Sequence, residues 1–164
     1  MSAAPERQDG LLLPPDFRQS ATALRIARGV RRHVHALGYA TVCELPLRSG
    51  RRADIVALGQ KGDLWIIEIK SSVADFRADA KWPEYRTHCD QLSFAIAPEV
   101  PADIFPEDAG LLVADGFGAE EVRSPPRHLL PGATRKEMLL RFARHAAARL
   151  HALADPGLGF DQWA

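Results

Sequence analysis

The run Leu64–Lys70, LWIIEIK, constrains the fold more than any other stretch of the chain. Side chains alternate across a strand with period two, so Leu64, Ile66, Glu68 and Lys70 share one face and Trp65, Ile67 and Ile69 the other. Both faces are apolar over most of the length, as in a central strand covered on both sides of an α/β sheet. The preceding run, RRADIVAL, reaches it through the glycine-bracketed turn GQKGD. A hairpin centred on Lys61 sets Asp54 opposite Glu68, with Cβ atoms about 5 Å apart, where like charges repel. A cation between the two acids relieves that repulsion, and the charge gathers at the C-terminal end of the strand, where open α/β sheets place their ligand crevices.

A third acid extends the row. The run TVCELPL is separated from RRADIVAL by RSG, a three-residue hairpin loop with Gly50 in the left-handed position. Centring that turn on Ser49 puts Glu44 across from Asp54. Pro46 has no N–H to give a ladder, which assigns this first strand to the sheet edge or to a bulge. A one-residue slip would move an acid to the other face, so Glu44 depends on register most. Hard Mg²⁺ or Mn²⁺ is commonly held by one or two carboxylates plus waters and substrate phosphate. Asp54, Glu68 and the backbone carbonyl of Ile69 form that first shell, with one ion or two according to whether Glu44 joins. Lys70, on the face of Glu68, is suited to orienting a water or offsetting charge on a phosphate. The same residues also describe a plain ion pair at a strand end. The hairpin register, the apolar central strand and the crossover that follows favour the metal-dependent site.

The remaining pattern is α/β. A first helix runs from Ser20 to a glycine stop at Gly38. Ala23, Ile26, Ala27, Val30, Val34 and Leu37 face the sheet at helical spacing, and Arg25, Arg28, Arg32 and His35 line the opposite side. Ser72 and Asp75 form a capping-box-like helix start, and Pro83 ends or kinks that helix. Trp82 and Tyr85 are read as core contacts rather than base-stacking platforms. LSFAIA is a fourth strand, reached by a crossover long enough for parallel pairing. GLLVAD is a fifth, and GAEEVRSPP an edge element. A last helix opens at Thr134, with Leu139, Phe142, Ala146, Leu150 and Leu153 as its buried stripe.

The order helix, three antiparallel strands, helix, parallel strand, with Asp54 and Glu68-x-Lys70 on the second and third strands, resembles the PD-(D/E)XK nuclease superfamily. The fuller pattern RRADIVAL…IIEIKSSVADFRADAKWPEYRTHCDQLSFAIA…GLLVAD is similar to the MmcB-like family and spans about residues 18–150. The resemblance implies a restriction-endonuclease-like αβββαβ core, a mixed sheet flanked by helices on both faces, and a metal-dependent deoxyribonuclease in bacterial DNA repair. By it, Asp54 and Glu68 bind metal and Lys70 is catalytic. Two departures stand out. The first helix carries no acid where superfamily members often have one, and Glu44 is the substitute; Ala53 replaces the proline that normally precedes the aspartate.

At 164 residues the chain suits one domain. The expected division is a flexible leader over 1–15, a single domain over 16–154 and a tail over 155–164. No apolar run approaches the ~18 residues of a membrane span, and MSAAPERQDG lacks a signal-peptide pattern. Cys43 and Cys89 lack metal or disulfide spacing; buried thiols in a reducing cytoplasm are expected. Net charge is zero, yet residues 18–37 hold five arginines and no acid, while residues 87–122 hold eight acids and no Lys or Arg. That segregation describes either a basic face toward a DNA backbone or two solvated helix faces. Arg25, Arg28, Arg32 and Lys81 are the candidate phosphate contacts. A homodimer is left open, because many enzymes of this fold cut two strands as dimers. The rival to a nuclease is a catalytically silent DNA-binding or scaffold protein that keeps the fold.

Overall fold

The computed structural model describes residues 20–157, so the leader over 1–15 and most of the tail lie outside the described residues. Its elements are α1 (Ala21–Ala36), β1 (Ala40–Pro46), β2 (Arg52–Leu58), β3 (Leu64–Lys70), α2 (Val73–Ala78), a 3-10 helix (Trp82–His88), β4 (Gln91–Ile96), a short 3-10 turn (Ala102–Ile104), β5 (Gly110–Ala114), β6 (Ala119–Arg123) and α3 (Gly132–Ala154). The strands lie side by side in chain order. β1, β2 and β3 form an antiparallel meander, β4 and β5 add in parallel, and β6 closes the far edge antiparallel. This is the expected α/β architecture with a mixed sheet between helices.

Every residue of β3 is buried. Its Trp65, Ile67 and Ile69 pack with Ile26, Val30 and Val34 of α1, while Leu64 and Ile66 pack with Tyr85, Met138 and Phe142 on the other side. Each Ile or Leu so withdrawn from water contributes about 1.5–3 kcal/mol, which pins β3 in place and with it the polar end of the strand. The Ser20 hydroxyl accepts from the N–H of Ala23 at 3.1 Å and starts α1; Gly38, at φ +88°, ends it. β1 is an edge strand, as Pro46 demands.

Three sequence expectations are corrected. Leu37, assigned to the sheet side of α1, is 57% exposed, because it caps the helix beyond the last turn that overlies the sheet. α3 begins at Gly132 after Pro131, not at Thr134, which lies inside the first turn with no side-chain cap. Its buried residues are Met138 and Phe142, whereas Leu150 and Leu153 are 69% and 54% exposed. α3 packs on β1 and the 3-10 helix, and Phe142 with the part-buried Ala146 are the last of its residues in the core cluster.

Asp90, which sequence alone left without a role, staples α3 to the sheet. Its carboxylate accepts from the N–H of Leu64 (2.8 Å) and of Leu130 (3.2 Å), and takes both terminal nitrogens of Arg135 at 2.7 and 2.6 Å. Burial pushes its pKa up, but the guanidinium and the backbone donors outweigh it and hold the carboxyl below its ordinary value. This staple sits where β3 and β4 begin, at the opposite end of β3 from Lys70.

Candidate functional site

The β2–β3 register is the one the turn predicts: Ile55 pairs with Ile67 and Val56 with Ile66, which carries Asp54 opposite Glu68. At that point the ladder gives way to side chains. The N–H of Asp54 donates to Glu68 Oε1 at 3.1 Å, and the N–H of Ile69 donates to Asp54 Oδ2 at 2.8 Å. Each acid is therefore aimed by a backbone amide on the other strand. Glu68 is only 3% exposed and Lys70 5%. Burial pushes the Asp54 carboxyl up to about 6, against the opposing pull of the Ile69 amide, with Glu44 adding to the rise. Burial, and then the Asp54 charge, push Glu68 well above its ordinary value.

Glu44 reaches the same rim by a strained route. The β1–β2 register keeps Cys43 on Ile55 and Leu45 on Ala53, as the RSG turn predicts. Between those pairs Glu44 takes φ +55°, a left-handed conformation that costs a non-glycine residue about 1 kcal/mol or more. The twist breaks the strand's alternation, so Val42 and Leu45, three apart, pack into one cluster. The Glu44 carboxylate pairs with the Arg52 guanidinium. Among the described residues no three or more of His, Cys, Asp and Glu come together as a ligand group. Two carboxylates meet, and the third is turned to an arginine.

The acids and Lys70 border a cleft of about 410 Å³, together with Ser20, Ala23, Arg51, Arg52, Ile69, Ser71, Asp75, Asp79 and Tyr85. Several of these were missed from sequence. Lys70 Nζ lies 2.8 Å from Asp79 Oδ2, nine residues on, with both side chains largely buried. Asp75 Oδ2 accepts from the N–H of Ser71 at 3.0 Å, and Ser72 Oγ accepts from the N–H of Asp75 at 3.1 Å. Tyr85 is both the core residue expected and a wall of the cleft; its hydroxyl donates to the carbonyl of Arg52 at 3.2 Å. Burial, then the nearby Glu68 charge, push its phenol upward. Arg51 lies 5.7 Å over the Tyr85 ring and pairs with Glu84 at 2.7 Å. Trp82 packs edge-on against Phe94 under the Arg86 guanidinium, which makes it a core contact.

The candidate phosphate contacts fall outside this cleft. Arg25 borders an adjoining hollow of about 170 Å³ with Ala97, Glu99 and Asp115. Arg28 and Arg32 are exposed further along α1, and Lys81 is exposed where its N–H donates to Asp79 Oδ1 at 3.2 Å. α1 nonetheless brings its first turn, Ser20 and Ala23, to the rim. As to what could be held, the oxygen-only pair of Asp54 and Glu68 fits a hard divalent ion, which needs few protein carboxylates, and burial is the first cause of both raised pKa values.

A family model described as DNA repair protein MmcB-like matches residues 13–157. No curated protein matches the chain. Among solved structures, the SPO1766 protein of unknown function from Silicibacter pomeroyi is 47% identical, with a TM-score of 0.83 over 88% of this chain and 99% of that one.

Proposed function

The chain belongs to the MmcB-like family of DNA repair proteins, and from that premise we propose a metal-dependent nuclease of PD-(D/E)XK type that hydrolyses DNA phosphodiester bonds. The observation that carries the reading is the buried pair Asp54 and Glu68, each held by a backbone amide of the facing strand, with Lys70 two residues beyond Glu68 on the same face. Two desolvated carboxylates with raised pKa values are costly unless they do chemistry or bind a cation.

Asp54, Glu68 and the carbonyl of Ile69 would hold Mg²⁺ or Mn²⁺, and Glu44 would join them for a second ion on leaving Arg52. When bound, such an ion supplies Lewis acidity to water and to a phosphate oxygen. Lys70 presents its ammonium to the scissile phosphate and orients the attacking water. Arg25, Arg28 and Arg32 follow the exposed side of a helix whose first turn borders the cleft, and Lys81 flanks it from the segment after β3; together they track the DNA backbone. Among the described residues no helix is long and apolar enough to cross a membrane.

One observation favours the second reading, a catalytically silent DNA-binding or scaffold protein: the carboxylate of Glu44 is engaged by Arg52, and among the described residues no three acids are grouped. The test is a Mg²⁺- or Mn²⁺-dependent assay on duplex, single-stranded, nicked and branched DNA, comparing wild type with Asp54→Ala and Lys70→Ala. The nuclease reading expects cleavage that falls by about a hundredfold or more in both variants, with gel-shift binding retained. Binding of DNA with no cleavage of any substrate establishes the silent reading.

A further inference from the structure

Lys70 faces a choice of counter-ions. On its own strand face lies the Glu68 carboxylate, and Asp54, Glu68 and Lys70 border the same cleft. Its ammonium nevertheless sits 2.8 Å from Asp79. A lysine has a flexible four-carbon stem and a compact charge, so nothing in its own chemistry forbids it from folding onto the acid pair. What prevents this is the segment after β3. Ser71 and Ser72 anchor it through Asp75, and Phe76 packs against Phe94 and Phe105 with ring centroids 5.4 and 4.4 Å away. The N–H of Asp79 donates to the carbonyl of Phe76 at 3.1 Å, and Asp79 Oδ1 takes the N–H of Lys81 at 3.2 Å. The carboxylate of Asp79 is thus fixed before it meets the lysine, with Oδ2 left to receive the ammonium.

We propose that Asp79 is the positioning residue of this centre: it draws the Lys70 ammonium away from Asp54 and Glu68, keeping those oxygens open to a divalent ion and the amine aimed across the cleft. This rests on the metal-dependent reading of the pair. Without Asp79 the ammonium collapses onto the carboxylates and occupies the place of the ion.

The experiment uses the full chain and Mn²⁺ alone, with binding measured by titration calorimetry. Asp79→Asn keeps the Oδ1 acceptor for Lys81 and its fold is checked by thermal unfolding. It weakens Mn²⁺ binding by about tenfold, the size of effect usual for residues that orient a ligand shell, and Asp79→Glu recovers part of it. The double variant Asp79→Asn with Lys70→Met restores binding, because the competing ammonium is gone; a merely structural Asp79 gives no such rescue. Unchanged binding in Asp79→Asn, or no rescue in the double variant, overturns the proposal. A wild-type chain that binds no Mn²⁺ overturns the metal-dependent reading instead, and a crystal structure of Asp79→Asn then decides the positioning role alone. Lys70 Nζ within about 3 Å of an Asp54 or Glu68 oxygen supports it, and an unmoved Nζ refutes it.

Discussion

Replacing Asp54 by asparagine makes the metal-free protein more stable at alkaline pH, although it removes a residue central to the proposed chemistry. In the folded state the Asp54 carboxyl is pushed up to about 6, first by burial, against ~3.9 in an unfolded chain. At about 1.4 kcal/mol per pH unit that gap amounts to roughly 3 kcal/mol, and the partial opening of the cleft to solvent trims it to about 2–3 kcal/mol. The sign follows from which state holds the proton more tightly. Below about pH 4 the carboxyl is protonated in both states and contributes no difference. Between there and pH 6 the unfolded chain ionises first, so wild-type stability falls as pH rises; above 6 the whole penalty is present. Asparagine cannot ionise, and its Oδ1 still accepts the Ile69 N–H that lies 2.8 Å from Asp54 Oδ2. In EDTA at pH 8, Asp54→Asn therefore unfolds at a Tm higher by roughly 4–10 °C, and about half of that advantage remains at pH 5. Thermal and urea unfolding at both pH values make the comparison. A variant less stable than wild type at pH 8, or an advantage independent of pH, would falsify the account of a strained, uncompensated acid pair.

Millimolar Mg²⁺ or Mn²⁺ raises the wild-type Tm through preferential binding to the folded state and leaves Asp54→Asn unmoved; equal shifts in both would place the ion elsewhere. Gly29 is the point where α1 closes on the β5–β6 turn, and a Cβ there would stand 2.0 Å from the carbonyl oxygen of Asp115 and 2.4 Å from that of Gly118. Gly29→Ala accordingly costs about 2 kcal/mol or more in urea unfolding, and a neutral result would mean that the helix is free to back away. Arg135→Met strands the Asp90 carboxylate and costs about 3 kcal/mol, while Mn²⁺ binding is unchanged because the staple lies at the other end of the sheet. Cys43 and Cys89 are buried free thiols, and burial pushes Cys89 up to about 12. Neither reacts with an aromatic disulfide reagent until the chain unfolds; fast labelling of the native protein would contradict their burial.

The sheet was legible where short turns set it. GQKGD and RSG each fix a register within a few residues, so Asp54 opposite Glu68 and Cys43 opposite Ile55 follow from local geometry. Three features were not. The left-handed Glu44 and its pairing with Arg52 break the two-residue alternation of β1, which no periodicity encodes. Asp79 and Tyr85 reach the cleft through a six-residue helix and the 3-10 helix Trp82–His88, whose direction depends on Phe76 finding Phe94. Leu150 and Leu153 carry the pattern of a buried stripe, yet burial needs a partner surface, and among the described residues the core cluster that α3 joins ends at Ala146. A Thr-x-x-Glu start at Thr134 misled for a related reason: Asp90, bonded to the N–H of Leu130 and the side chain of Arg135, fixes where that helix begins.

Spatial neighbours in the sheet are also neighbours along the chain. The strands bearing Glu44, Asp54 and Glu68 are joined only by tight hairpins, whose closure costs little entropy. A ribosome that has released the chain through Lys70 has already delivered every acid of the row, and Asp79 follows nine residues later. The two parallel steps, to β4 and then to β5, need crossovers from residue 71 to 90 and from residue 97 to 109, and such distant pairings assemble slowly. During synthesis the acids of the row are thus made before β4 and the 3-10 helix that bury them, so the charge penalty falls on the late docking of β4 and of Tyr85, and a divalent ion held between the acids would ease that last step.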